Sequence, residues 1–239
     1  MKLLLSLFFQ LTSIVTFFVC VSIYVLATTL VHPYKTLALR CLLCRLIILA
    51  NGQWLVIEGK SPDGNGPFLY LANHESLLDA FIFGAAMPAR VTAVAAEDYF
   101  WIPVWGALMR RYGIIPIKRK VHDRAMESMA EAVKAVRQGT SLIMLPEGTR
   151  TPDGEVQEFK KGAFYLALEA EPTIVPLAII GAYQARNRNS WLIRPGVIRL
   201  RFGQPIAPEQ YHEDTPAGLA GWLRMEISAL KVSKVNMAE

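Results

Sequence analysis

The first thirty residues limit the fold more than any other stretch. From Leu3 to Val31 the only strongly polar side chain is Gln10. The run exceeds the roughly 20 residues that cross the hydrocarbon of a bilayer as a helix. A secretory leader would have a shorter apolar core, about 7–15 residues, ending at a small-x-small site. The expectation is a retained membrane helix. Pro33 should end it, and a second apolar segment, 32–50, carries Arg40 and Arg45. Two arginines are costly at mid-bilayer, so this segment is expected at the interface, or snorkelling its charges outward. A crossing helix and a shallow two-helix hairpin within one leaflet leave the same pattern. Lys35, Arg40 and Arg45 after the first run outnumber Lys2 and the amino terminus before it. That asymmetry favours placing the rest of the chain on the cytoplasmic face of the cell membrane. Residues 1–50 read as a membrane-anchoring segment and 51–239 as a separate globular domain.

The rest of the chain is long enough for one ordinary core. A net charge of +5 suits an anionic lipid surface or a phosphorylated substrate. Nucleic acid is not expected as a partner, because no dense basic face with interleaved aromatics is visible. The three cysteines, Cys20, Cys41 and Cys44, all fall in the apolar N-terminal region. That is no disulfide framework. Cys41-x-x-Cys44 lacks a second ligand pair and reads as two small apolar side chains on a membrane-associated helix.

After Asn51 short β-branched and aromatic runs alternate with helical stretches. Strands are expected at 53–58, 67–72, 91–95, 114–118, 141–145, 173–180 and 197–203. Helices are expected at 77–87, 98–110, 123–138, 160–170 and 215–231. In 123–138, Met126, Met129, Val133 and Val136 mark one face, Asp123 can cap the start and Gly139 follows the end. Such alternation argues an α/β fold, a mostly parallel sheet flanked by helices, preceded by the membrane helix or hairpin.

Three stretches hold residues that can do chemistry. In Asn73-His74-Glu75-Ser76-Leu77-Leu78-Asp79, the spacing from Ser76 to Asp79 is that of a helix-capping box. On one continuous helix His74 and Asp79 would point about 140° apart. They meet only if His74 sits on the loop leaving a strand and Asp79 in the first turn of the next helix, which is where the cap places them. Asp79 would then fix the imidazole tautomer. Ser76 lacks the G-x-S-x-G setting of a nucleophile. In Pro146-Glu147-Gly148-Thr149-Arg150, Gly148 allows close backbone approach, Thr149 offers a hydroxyl and Arg150 can hold phosphate bidentately. Glu147 is expected to orient an arginine or bond a substrate hydroxyl. The third stretch, Gly113 to Lys120, ends in Lys118, Arg119 and Lys120, a second clamp if it lies beside a phosphate site.

Together these stretches resemble the lysophospholipid and glycerol-phosphate acyltransferase family. Its N-H-x-S-x-x-D signature matches Asn73 to Asp79, and its P-E-G-T-R signature matches Pro146 to Arg150. A Gly, strand and Arg block matches Gly113 to Arg119, with Pro116 and Lys118 departing from the usual residues. A Val-Pro strand matches Val175-Pro176, and F-K-x-G matches Phe159 to Gly162. The resemblance implies that 51–239 is an acyltransferase domain moving a fatty acyl group from a thioester, acyl-CoA or acyl-carrier protein, to a lysophospholipid hydroxyl. Lysophosphatidic acid giving phosphatidic acid leads. Another lysolipid, such as a lyso-ornithine lipid, or a thioesterase using water, are the alternatives. It implies His74 as base and Asp79 as its positioner. Arg119, Gly148, Thr149 and Arg150 would hold the acceptor phosphate, with Glu147 at the glycerol end. No cofactor or metal is expected beyond the thioester co-substrate, and the bilayer is the expected partner.

Overall fold

The computed structural model describes residues 2–64, 66–88, 91–118 and 122–233, without the side chains of 2 and 122–126. The expected cap Asp123, the face residue Met126 and the candidate ligand Arg119 lie outside these described residues or side chains. α1 (Lys2–Leu30) is one continuous helix. Pro33 opens a short 3-10 turn over Pro33–Lys35, where its fixed φ suits a first helical position. α2 (Leu37–Ala50) then returns antiparallel to α1. The hydroxyl of Thr12 donates to Ala50 O at 2.8 Å, and that of Thr36 reaches the Tyr24 hydroxyl at the other end.

Arg40 corrects the expectation of outward charge on this segment. Its side chain is buried. It turns toward α3 (Asp79–Ala86) and donates to Gly84 O at 3.0 Å, to Pro88 O at 3.2 Å, to Met87 O and to the Tyr112 hydroxyl. The last carbonyls of a helix lack intrahelical donors and carry partial negative charge. They solvate the guanidinium where lipid would not.

All seven expected strands form: β1 (Gln53–Glu58), β2 (Phe68–Ala72), β3 (Val91–Ala96), β4 (Ile115–Ile117), β5 (Ser141–Met144), β6 (Thr173–Ile180) and β7 (Gly196–Phe202). They make one sheet in the order β1-β7-β6-β2-β5-β3-β4, parallel except for the β6–β7 pair. β2 is central, and Leu69 to Ala72 are fully buried on both faces, which is why it reads as a continuous apolar run and does not alternate. Leu69 and Leu71 face a core with α5 (His122–Arg137), α6 (Gly162–Ala170) and α8 (Pro216–Val232). Tyr70 and Ala72 face one with α2, α3 and the short α7 (Ala182–Ala185).

The expected helix at 98–110 is divided. A 3-10 turn spans Glu97–Trp101, and α4 (Trp105–Arg111) follows Pro103. Gly106 sits so close to Phe100 that a Cβ would lie 2.0 Å from its carbonyl oxygen. The turn and α4 can therefore pack only with glycine there. α7 has four residues, too short to leave a periodic signal in sequence.

The chain leaves β2 for α3 on one face of the sheet and leaves β5 for α6 on the other. Adjacent parallel strands whose connections part in this way open a crevice at their C-terminal ends. The Asn73–Asp79 and Pro146–Arg150 stretches lie there.

Candidate active site

His74 leaves β2 on the loop and Asp79 is the first residue of α3. His74 Nδ1 donates to Asp79 Oδ2 at 2.7 Å, the carboxylate being the acceptor. The same oxygen accepts the backbone N–H groups of Glu75 at 2.8 Å and Ser76 at 3.1 Å. Asp79 is buried, while the His74 side chain keeps 21% of its exposure. Nδ1 is thus committed to the carboxylate, and the ring's other nitrogen, Nε2, is left as the acceptor.

The expected capping box forms only by half. Asp79 reaches back to the Ser76 N–H, but the Ser76 hydroxyl donates to Arg186 O at 2.8 Å and does not cap α3. That bond and its burial leave Ser76 no nucleophilic role. Asn73 ties the loop to β6: its amide donates to Ile179 O at 2.9 Å and accepts from Ile179 N at 2.7 Å.

Glu147 turns inward. Its Oε1 accepts the His74 N–H at 2.9 Å, and the Thr151 N–H donates to His74 O at 2.8 Å. The loop after β5 therefore holds both backbone groups of His74. Burial pushes the Glu147 carboxyl up to about 7, against the opposing pull of the His74 and Gln157 N–H groups. Glu75 is also driven up by burial, with Lys231 opposing. Three buried carboxylates, those of Glu75, Asp79 and Glu147, surround one histidine.

Gly148 has φ +72, a conformation that favours glycine, and its missing side chain leaves room for the Lys160 stem, which a Cβ would meet at 2.9 Å. Thr149 is exposed and Arg150 partly so. Arg188 donates to Arg150 O at 3.1 Å and lies 3.4 Å from the Thr149 hydroxyl. Burial, then the charge of Arg150, lowers the Arg186 pKa. Among the described residues no carboxylate lies within 4 Å of Arg150, Arg186 or Arg188, so this group of cations is open to an anion. Arg186 and Arg188 were missed in the sequence, where "ARNRN" at 185–189 follows a different strand from the one that carries Arg150. Lys118 pairs with Glu97 at 3.5 Å. Its strand, β4, lies two strands from β5, roughly 10 Å away.

A histidine backed by a buried aspartate thus stands at the C-terminal edge of a mostly parallel sheet, beside open arginines, an arrangement with the chemistry to take up a proton and to meet an anion. Comparison with known proteins narrows the class. The family model described as Acyltransferase matches residues 55–180, and the chain belongs to that family. It is 33% identical over 171 residues to a 1-acyl-sn-glycerol-3-phosphate acyltransferase of Cocos nucifera, covering 71% of this chain and 55% of that protein. A protein of the same name from Limnanthes alba is 34% identical over 170 residues, with 71% and 60% covered. The match thus spans little more than half the length of these relatives. The crystal structure of the 1-acyl-sn-glycerophosphate (LPA) acyltransferase PlsC from Thermotoga maritima has the same fold, with a TM-score of 0.83 over 95% of both chains at 22% identity.

Proposed function

We propose that the chain moves a fatty acyl group from a thioester, acyl-CoA or acyl-carrier protein, to the free hydroxyl of a lysophospholipid. Lysophosphatidic acid is the acceptor and phosphatidic acid the product. The observation that carries this reading is the 2.7 Å bond from His74 Nδ1 to Asp79, which leaves Nε2 as a base. The names of the relatives support the choice of acceptor.

In this mechanism His74 Nε2 takes the proton of the acceptor hydroxyl as its oxygen attacks the thioester carbonyl. Asp79 stabilises the imidazolium. Collapse of the tetrahedral adduct breaks the C–S bond, and the thiolate recovers the proton from Nε2. No acyl-enzyme forms, because holding both substrates together suffices. Thr149 and Arg150 bind the acceptor phosphate, where Gly148 lets the backbone approach, and Arg186 and Arg188 join them. Glu147 supports the His74 backbone through Oε1 and faces the glycerol end of the acceptor with its other oxygen. An apolar cavity beside Asp79, between α1, α2, α3 and α4, is lined by Cys20, Leu43, Ala80, Phe81, Trp105 and Leu108. It suits an acyl chain.

α1 is long and apolar enough to cross a membrane. Its contacts favour lying along the domain. Ser6, near its start, accepts the Ile193 N–H at 2.9 Å, and Phe17, midway, packs on Phe81 and Trp105. Leu4, Leu7, Leu11, Phe18 and Leu26 are exposed on the other side. Residues 1–50 therefore anchor the 51–239 domain by sinking this face into one leaflet, the cytoplasmic one by the placing of Lys35 and Arg45.

The test is thiol release from acyl-CoA by purified protein in detergent, with and without lysophosphatidic acid, beside His74→Ala. Release that requires the acceptor, and falls about 1,000-fold or more in the variant, is expected. Release without acceptor would mean a thioesterase. Undiminished turnover in the variant would remove His74 as base.

A further inference from the structure

α8 buries Leu219, Leu223 and Ile227 at four-residue intervals against the sheet. The next position on that stripe is Lys231. A lysine there breaks the apolar pattern of a core-facing helix, and the structure supplies the reason. Lys231 Nζ lies 2.6 Å from Glu75 Oε1, a carboxylate with no solvent exposure that directly follows His74. The same ammonium donates to Gly154 O, on the loop after β5. Glu75 is further held by the Asn73 amide at 3.3 Å and the Tyr183 N–H at 2.9 Å. Arg201 secures the end of α8 by donating to Leu230 O and to Ser233 O at 2.6 Å, while its other side bonds Glu58 at 2.6 Å.

We propose that Lys231 is a positioning residue that locks together the two loops holding His74. One loop carries His74 and Glu75. The other bonds both backbone groups of His74, through Glu147 and Thr151, and continues to Gly154. A single ammonium bridges them from a helix near the C-terminal end of the described residues, 77 positions beyond Gly154. Its charge also favours the ionised form of Glu75, which the charge of Asp79 opposes. Without it, the base would be held by loops free to part, and misplacement of a base by about 1 Å costs on the order of 100-fold in rate. This inference rests on the reading of His74 as the base.

The test compares Lys231→Met, Glu75→Gln and the double variant in full-length protein. In Lys231→Met, kcat should fall about 100-fold, with KM for acyl-CoA and lysophosphatidic acid within about threefold. Adding Glu75→Gln should restore about tenfold of that loss, because no buried anion is then left unpaired. A kcat within twofold of wild type, or a loss that Glu75→Gln does not relieve, would overturn the clamp. Should Lys231→Met not fold, Glu75→Gln alone carries the test, with a lower kcat at constant KM expected and an unchanged kcat refuting it. Amide hydrogen exchange gives a readout independent of turnover. In the Lys231→Met protein (or Glu75→Gln in its place), exchange should rise over 73–79 and 147–155 but not over 219–229. Unchanged protection in both loops would sink the clamp even if the wild type proved inactive as a transferase.

Discussion

Arg40 and Glu147 are both buried charged residues, and their surroundings treat them oppositely. Arg40 lies in the apolar helix pair with neutral acceptors around it: the carbonyls that end α3 and the Tyr112 hydroxyl. Glu147 lies in the polar loops at the sheet edge with too little to offset its burial, and its carboxyl is pushed up to about 7. A buried cation met by fixed dipoles acts as a bolt. A carboxyl whose burial outweighs the N–H groups that meet it becomes a titrating group, which is the situation of functional sites. The two regions meet in α3. Asp79 stands at its N-terminus and Arg40 grips its C-terminus, so charge complements the helix dipole at both ends. The N-terminal helix pair thereby helps to aim Asp79, the partner of His74.

The largest effect should come from Arg40→Met. It leaves several buried carbonyls and a hydroxyl without their donor, and each such group costs about 1–3 kcal/mol. We expect a loss of about 4 kcal/mol in unfolding free energy, read from denaturant melts in detergent, together with lower turnover. Full stability would show that the bolt is ornamental and that the two regions fold independently.

Glu147→Gln sharpens the other side. The folded carboxyl titrates near 7 against 4.5 for the free group, so the folded state holds its proton more tightly than the unfolded chain. That contribution to stability is complete below about 4.5 and is lost as the pH rises through about 7. The wild type should therefore lose up to about 3 kcal/mol relative to Glu147→Gln between pH 5 and 8. Parallel stability curves for the two proteins would show that Glu147 is ionised throughout.

The smallest effect on chemistry is expected from Leu11→Ser with Phe18→Ser, both on the exposed face of α1. Flotation with liposomes should weaken by about 2 kcal/mol per side chain, while kcat in detergent micelles stays within twofold. Liposome binding unaltered by both changes would place the membrane contact elsewhere.

Much of this molecule could be read in its sequence. The apolar run, the turn at Pro33, the seven strands and the pairing of His74 with Asp79 all rest on local patterns: hydrophobic periodicity, turn residues, and a short spacing across a strand-to-helix junction. Even the half-formed cap at Ser76 was visible as a spacing. The inward turn of Arg40, the inward turn of Glu147, the arginines at 186 and 188, and Lys231 were settled only by the tertiary structure. Each depends on a partner far along the chain, brought close by the order of strands in the sheet. Lys231 left one trace, a cation on the buried stripe of α8. A stripe shows that a side chain points inward, but the carboxylate it meets there is chosen by how α8 crosses the sheet edge beside the loop after β2, and no local pattern encodes that crossing.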